Sequence, residues 1–163
     1  MTRILWYLKE ITSRLWVSAL FYGASAIFTI VLAFYLKGYV PEGWSEQIGA
    51  NSVDSILAIL ASSMLSVTIF SLTTMVAAYS SVTSNVTPRA TRLLIEDKLT
   101  HRALSTFLGA FIFSIVGIVA LKTGVYGDGG RFVLFIATIL LIALIVITLL
   151  SWVEYLTRLG RVG

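Results

Sequence analysis

The chain contains no cysteine and a single histidine, His101. Disulfides, thiolate metal sites and cysteine nucleophiles are therefore excluded, and one histidine cannot build a histidine-based metal cluster within one chain. Charge is equally scarce. Only 12% of residues are Asp, Glu, Lys or Arg, about half the roughly 25% of an ordinary soluble domain. Proline occurs twice, at Pro41 and Pro88, and neither interrupts a long apolar run. No run of five basic residues exists, so the net charge of +4 gives no nucleic-acid patch and no nucleic-acid partner is expected.

What the chain has in abundance is apolar sequence. Hydrophobic residues make up 58% of its 163 positions, and mean hydropathy is +0.93. A soluble core of this size could not hide that much apolar surface. Residues about 15–36, 55–79, 103–121 and 132–153 form four stretches without internal proline or charge. Each is about as long as the ~20 helical residues needed to cross ~30 Å of hydrocarbon. Lipid offers no hydrogen bonds to the backbone, so each stretch must be helical. The first is too long for a signal-peptide core, and no small-x-small cleavage site follows it. The expected fold is an all-α, four-helix transmembrane bundle forming a single domain over residues 1–163.

Basic residues set the expected orientation. With the N-terminus inside, the inner segments carry Arg3, Lys9, Arg14, Arg89, Arg92, Lys98, Arg102, Arg158 and Arg161, and the outer ones Lys37, Lys122 and Arg131. With Glu10, Glu96, Asp97 and Glu154 the inner net charge is +5; with Glu42, Glu46, Asp54 and Asp128 the outer is −1, together the chain's +4. This positive-inside bias places both termini in the cytoplasm. Trp16, Trp44, Tyr79, Trp152 and Tyr155 lie near the expected interfaces, where amphipathic rings favour headgroup level.

Three connections join the stretches, residues 37–54, 80–102 and 122–131, and Pro41, Gly43 and Gly49 break the first as an outer loop. Ile4, Leu8 and Ile11 recur at helical spacing among Arg3, Lys9, Glu10 and Arg14, which predicts a short amphipathic helix on the inner surface. Residues 122–131 include four glycines but lack the spacing and Lys-Ser/Thr ending of a phosphate-binding loop; they read as a turn. In the inner connection, Thr87-Pro88 has the form of a helix start, a hydroxyl cap followed by proline at the first position. The helix it would open carries Arg89, Arg92, Lys98 and Arg102. These cations either contact anionic lipid headgroups or only enforce topology. The Asn85-Val86-Thr87 sequon falls on the expected inner side and precedes proline, so glycosylation is not expected there.

The second stretch differs from the others in its hydroxyls. Ser55, Ser62, Ser66, Thr73 and Ser80 are spaced seven, four, seven and seven apart, which puts them on one helix face. Thr68 and Ser71 fall on the opposite side, and Ala58, Ser62 and Ser66 form a small-xxx-small ladder. Two readings compete. Small hydroxyl residues let helices approach closely and can bond the preceding turn's carbonyls. The same face could instead line a hydrated path. Either way an interior position is expected for this helix and a lipid-facing one for the fourth, which is mostly Leu, Ile and Val. Gly109, Ala110, Ser114 and Gly117 suit the third to close packing. The absence of ionisable residues from the spans argues against a proton-driven transporter and removes the usual acids, bases and metal ligands. No enzymatic activity and no cofactor is expected.

The run Ser80-Ser81-Val82-Thr83-Ser84-Asn85-Val86-Thr87-Pro88-Arg89, followed by Arg92, Asp97 and Phe107-Leu108-Gly109, resembles the DUF2254 family of bacterial membrane proteins. Members typically show a hydroxyl-rich helix, a Ser/Thr-Pro-Arg turn, a basic helix and a Phe-rich span. The likeness is strongest around Thr87-Pro88-Arg89 and is moderate in specificity. It implies a multi-pass protein of the bacterial cytoplasmic membrane, with this chain as the family's N-terminal membrane region and a cytoplasmic region following the fourth span. It carries no settled activity to any residue. The functional expectations are a homo-oligomer whose second helices surround a pore for ions or small polar solutes, or a membrane anchor or scaffold for a cytoplasmic region or partner.

Overall fold

A computed structural model describes residues 2–6, 15–41, 43, 47, 50–85, 98–125 and 127–161. Four helices carry the fold: α1 (Leu15–Leu36), α2 (Ala50–Asn85), α3 (Lys98–Lys122) and α4 (Gly127–Arg161). No strand occurs among the described residues. All four helices are long and apolar enough to cross a membrane. Residues 2–6 are also helical and exposed; the rest of the expected N-terminal amphipathic helix lies outside the described residues.

α1 coincides with its apolar stretch, whereas α2 and α4 overrun theirs at both ends. Hydropathy marks only the segment that must sit in hydrocarbon. The backbone stays helical through Ala50-Asn51-Ser52 and Ser80–Asn85, where no proline or glycine stops it. At 1.5 Å per residue, the 36 residues of α2 extend roughly 54 Å, well beyond the ~30 Å hydrocarbon core. Between α3 and α4 the expected turn contracts to Thr123–Val125 and its neighbours, with Gly124 at φ 71°. Only glycine takes that backbone conformation at no steric cost.

α3 is the hub. It packs along both α1 and α2 and also against α4; α4 approaches α1 as well and α2 only marginally, while among the described residues the α1 and α2 backbones do not come close to each other. More than half of the α3 span is buried (56%), against 17% for α1 and 22% for each of α2 and α4. The hydroxyl-rich α2 is thus peripheral in the chain, contrary to expectation. α4 faces outward as its composition predicts. Close approach decides the difference. At Gly109 a Cβ would overlap the Tyr22 ring and lie 2.6 Å from Tyr22 Cβ, and at Gly117 it would lie 3.1 Å from Leu57 Cδ1. Small residues on α3 let the neighbouring helices press in from several sides, the usual device where lipid tails are as apolar as the side chains.

The other helices each bury one seam. On α2 it is Val53, Leu57, Leu60, Met64 and Ser71; on α4, Leu134, Thr138, Leu141, Ile145 and Trp152. Steps of three and four are the knobs-into-holes pattern of helices crossing at shallow angles. α1 buries Ala19, Ala26 and Ala33 at seven-residue spacing and exposes Phe21, Phe28 and Tyr35 on the other side. In water that exposed row would be an aggregation surface; in a bilayer it meets acyl chains. Tyr22 Oη and Thr106 Oγ1 lie 3.4 Å apart across α1 and α3. Thr106 already donates to the Arg102 carbonyl at 2.9 Å, so Tyr22 is the donor in the interhelical bond.

Candidate functional site

The hydroxyl row of α2 lies opposite its packing seam. At 100° per residue, Ser55, Ser62, Ser66, Thr73 and Ser80 fall within about 20° of one line along the helix, and all five are exposed. Ala58, the head of the small-residue ladder, is exposed too. The row is therefore turned away from the seam that holds α2 to α3 and lies open at the surface.

Its chemistry is constrained by bonds within α2. Ser66 Oγ donates to the Ser62 carbonyl at 3.0 Å and Thr73 Oγ1 to the Ile69 carbonyl at 2.8 Å. Ser63, Thr68 and Thr74, off the row, donate to the carbonyls four residues earlier in the same way. A hydroxyl whose proton is turned back onto its own helix spends no unsatisfied donor on the surroundings. It presents oxygen lone pairs outward, so the face can accept hydrogen bonds or approach a cation. Sequence spacing found the row; it could not say that the row faces away from the bundle.

The basic set divides. Arg89 and Arg92, with the Thr87-Pro88 helix start, lie outside the described residues. Lys98 opens α3 and Arg102 is exposed one turn further on. On α4, Arg158 pairs with Glu154 at 2.7 Å, an exposed i,i+4 pair. Trp152 and Tyr155 stack at 5.7 Å, and the Trp152 ring is buried against the core rather than left at the surface. No group of three His, Asp or Glu able to hold a metal occurs among the described residues.

Four apolar helices packed on a small-residue hub, with exposed rows of large apolar side chains on α1, α2 and α4, define a polytopic helical membrane protein. A family model described as "Predicted membrane protein (DUF2254)" matches residues 12–163, nearly the whole chain, and the chain belongs to that family. No curated protein and no solved structure matches it.

Proposed function

We propose that this protein self-associates in the bacterial cytoplasmic membrane with α2 toward a shared axis, so that the hydroxyl rows of several copies line a path for ions or small polar solutes. The observation that carries the reading is the exposed row itself. It lies opposite the seam that holds α2 to α3 and recurs from Ser55 to Ser80, with exposed Ile59, Ile69, Phe70 and Val76 in the turns between its hydroxyls. That separation is roughly 37 Å at 1.5 Å per residue, enough to traverse ~30 Å of hydrocarbon. A contact between two crossing helices needs a shorter polar row; a path needs one of full length. The outward lone pairs favour cations or hydrogen-bond donors as permeants.

In this arrangement both termini face the cytoplasm, as the basic residues favour, and Arg102 and Lys98 sit at the inner surface, where anionic headgroups are within reach. Flux of small cations into proteoliposomes tests the reading. Ser62→Leu or Ser66→Leu abolishes flux and leaves assembly intact; unchanged flux in both variants counts against it.

A second reading is a membrane anchor or scaffold, favoured by the back-bonded hydroxyls and the exposed Ala58, Ser62 and Ser66 ladder, which suit tight packing between copies. There the same substitutions loosen the oligomer and no conductance appears in any preparation.

A further inference from the structure

α2 carries a single charged residue along its 36 positions, Asp54. Its place is not explained by the helix dipole. No acid occupies the first turn of α2, and Asp54 is the fifth residue, beyond the turn over which the dipole favours an anion. It lies within the apolar span Ser52–Ala77. Acids inside membrane spans are rare; they face a bundle interior or a water-filled cavity and mark ion paths. Asp54 Oδ1 is enclosed and has no hydrogen-bond partner, although the residue as a whole is only half-buried. No ion pair holds the side chain among the described residues. A carboxylate oxygen taken out of water without a donor is costly unless a positive charge comes to it.

Asp54 adjoins Ser55, the head of the hydroxyl row, and stands about 1.5 Å nearer the start of α2. At about 100° per residue it falls on the flank between the row and the seam of Val53, Leu57 and Met64. Side chains on a helix lean toward its N-terminus, so the carboxylate sits ahead of the row. In copies arranged with their rows toward a shared axis, that flank turns toward the adjacent copy and Asp54 recurs at one height in every copy. Rings of Asp or Glu are the means by which cation channels select charge. We propose that Asp54 is the charge-selecting residue of the path: a ring of its carboxylates at the outer mouth admits small cations and turns away anions. This rests on the reading of the hydroxyl row as a path, with α2 starting at the outer surface. The ring selects for positive charge, and the hydroxyl oxygens behind it accept what has been selected.

The test is the K+ to Cl− permeability ratio of the full chain in planar bilayers under a KCl gradient. Wild type prefers K+. Asp54→Asn lowers the ratio by about fivefold or more, the effect of a unit charge a few ångströms from a hydrated ion, and Asp54→Glu keeps it. Asp54→Cys, in a chain that has no other cysteine, is altered after assembly. A thiol reagent that adds a sulfonate restores the preference for K+, and one that adds a trimethylammonium lowers it further, so the proposal stands or falls even if Asp54→Asn assembles poorly. Equal ratios in wild type and Asp54→Asn, or identical ratios for the two adducts, overturn the proposal and leave the path in place. Absence of any wild-type conductance removes the path and the selecting ring with it.

Discussion

Replacing Gly109 by alanine adds one methyl group at the tightest point of the bundle. That carbon would meet Cγ and Cδ2 of Tyr22 and come within 2.6 Å of its Cβ. The atoms in the way sit at the root of the side chain, so a rotamer change cannot clear them and α1 must move away from α3. Overpacking of this kind costs about 1–3 kcal/mol. The shift also breaks the 3.4 Å bond from Tyr22 to Thr106, worth about 0.5–1.5 kcal/mol; alanine's better helix propensity returns about 0.5–1 kcal/mol. The net expectation is a loss of about 1–3 kcal/mol. Gly117→Ala is the matched control. Its Cβ would meet Leu57 Cδ1 at 3.1 Å, the far end of a flexible side chain, so a small adjustment suffices and the change is within about 1 kcal/mol. Equilibrium unfolding of both variants in mixed micelles, followed by tryptophan fluorescence, measures the difference. Adding Tyr22→Ala to Gly109→Ala removes the ring carbons and should recover part of the loss. Equal effects of the two glycine substitutions, or no recovery in the double variant, would refute the packing argument.

Further expectations separate the two sides of α2 and grade the core. Leu57→Ala, at a residue with no exposure, costs about 2–5 kcal/mol in the same unfolding assay, whereas Ser66→Leu on the exposed row stays within about 0.5 kcal/mol. Phe107→Ala, at the largest fully buried side chain among the described residues, costs about 3–5 kcal/mol in the same unfolding assay. Thr138→Val is nearly silent: Thr138 Oγ1 only donates to its own helix at Leu134, and valine preserves the buried shape, so a shift above about 1.5 kcal/mol would contradict this account. Arg158→Ala changes stability by less than about 1 kcal/mol at any salt concentration, because its pair with Glu154 is exposed on both sides.

The four helices were legible because hydrocarbon thickness and backbone satisfaction leave little freedom: an uninterrupted apolar run must be a helix of known length. The helix ends were not, since α2 and α4 continue into polar sequence that hydropathy does not mark. The hydroxyl row was legible as a period. Its direction was not, because a small polar face can pack inward or turn outward with its bonds made either way. A usable signal for the hub did exist. Gly109, Ala110, Ser114 and Gly117 on α3 already read as close-packing residues, whereas the Ala19, Ala26 and Ala33 row of α1 does not stand out among its other apolar residues. Ser71 and Trp152 looked ordinary in sequence, as a stray hydroxyl and an interfacial aromatic. Only the packing of α2 and α4 shows them buried in the core.

The most direct test of the account is cysteine-accessibility scanning along α2 from Ser55 to Ser80. The native chain has no cysteine, so each label reports one introduced site. Reaction with a charged, membrane-impermeant thiol reagent at Ser62, Ser66 and Thr73, with protection at Leu57 and Met64 on the buried seam, is the pattern the account predicts. Protection at Ser62, Ser66 and Thr73 as well would contradict a hydrated path and leave the row as a dry contact or a lipid-facing surface.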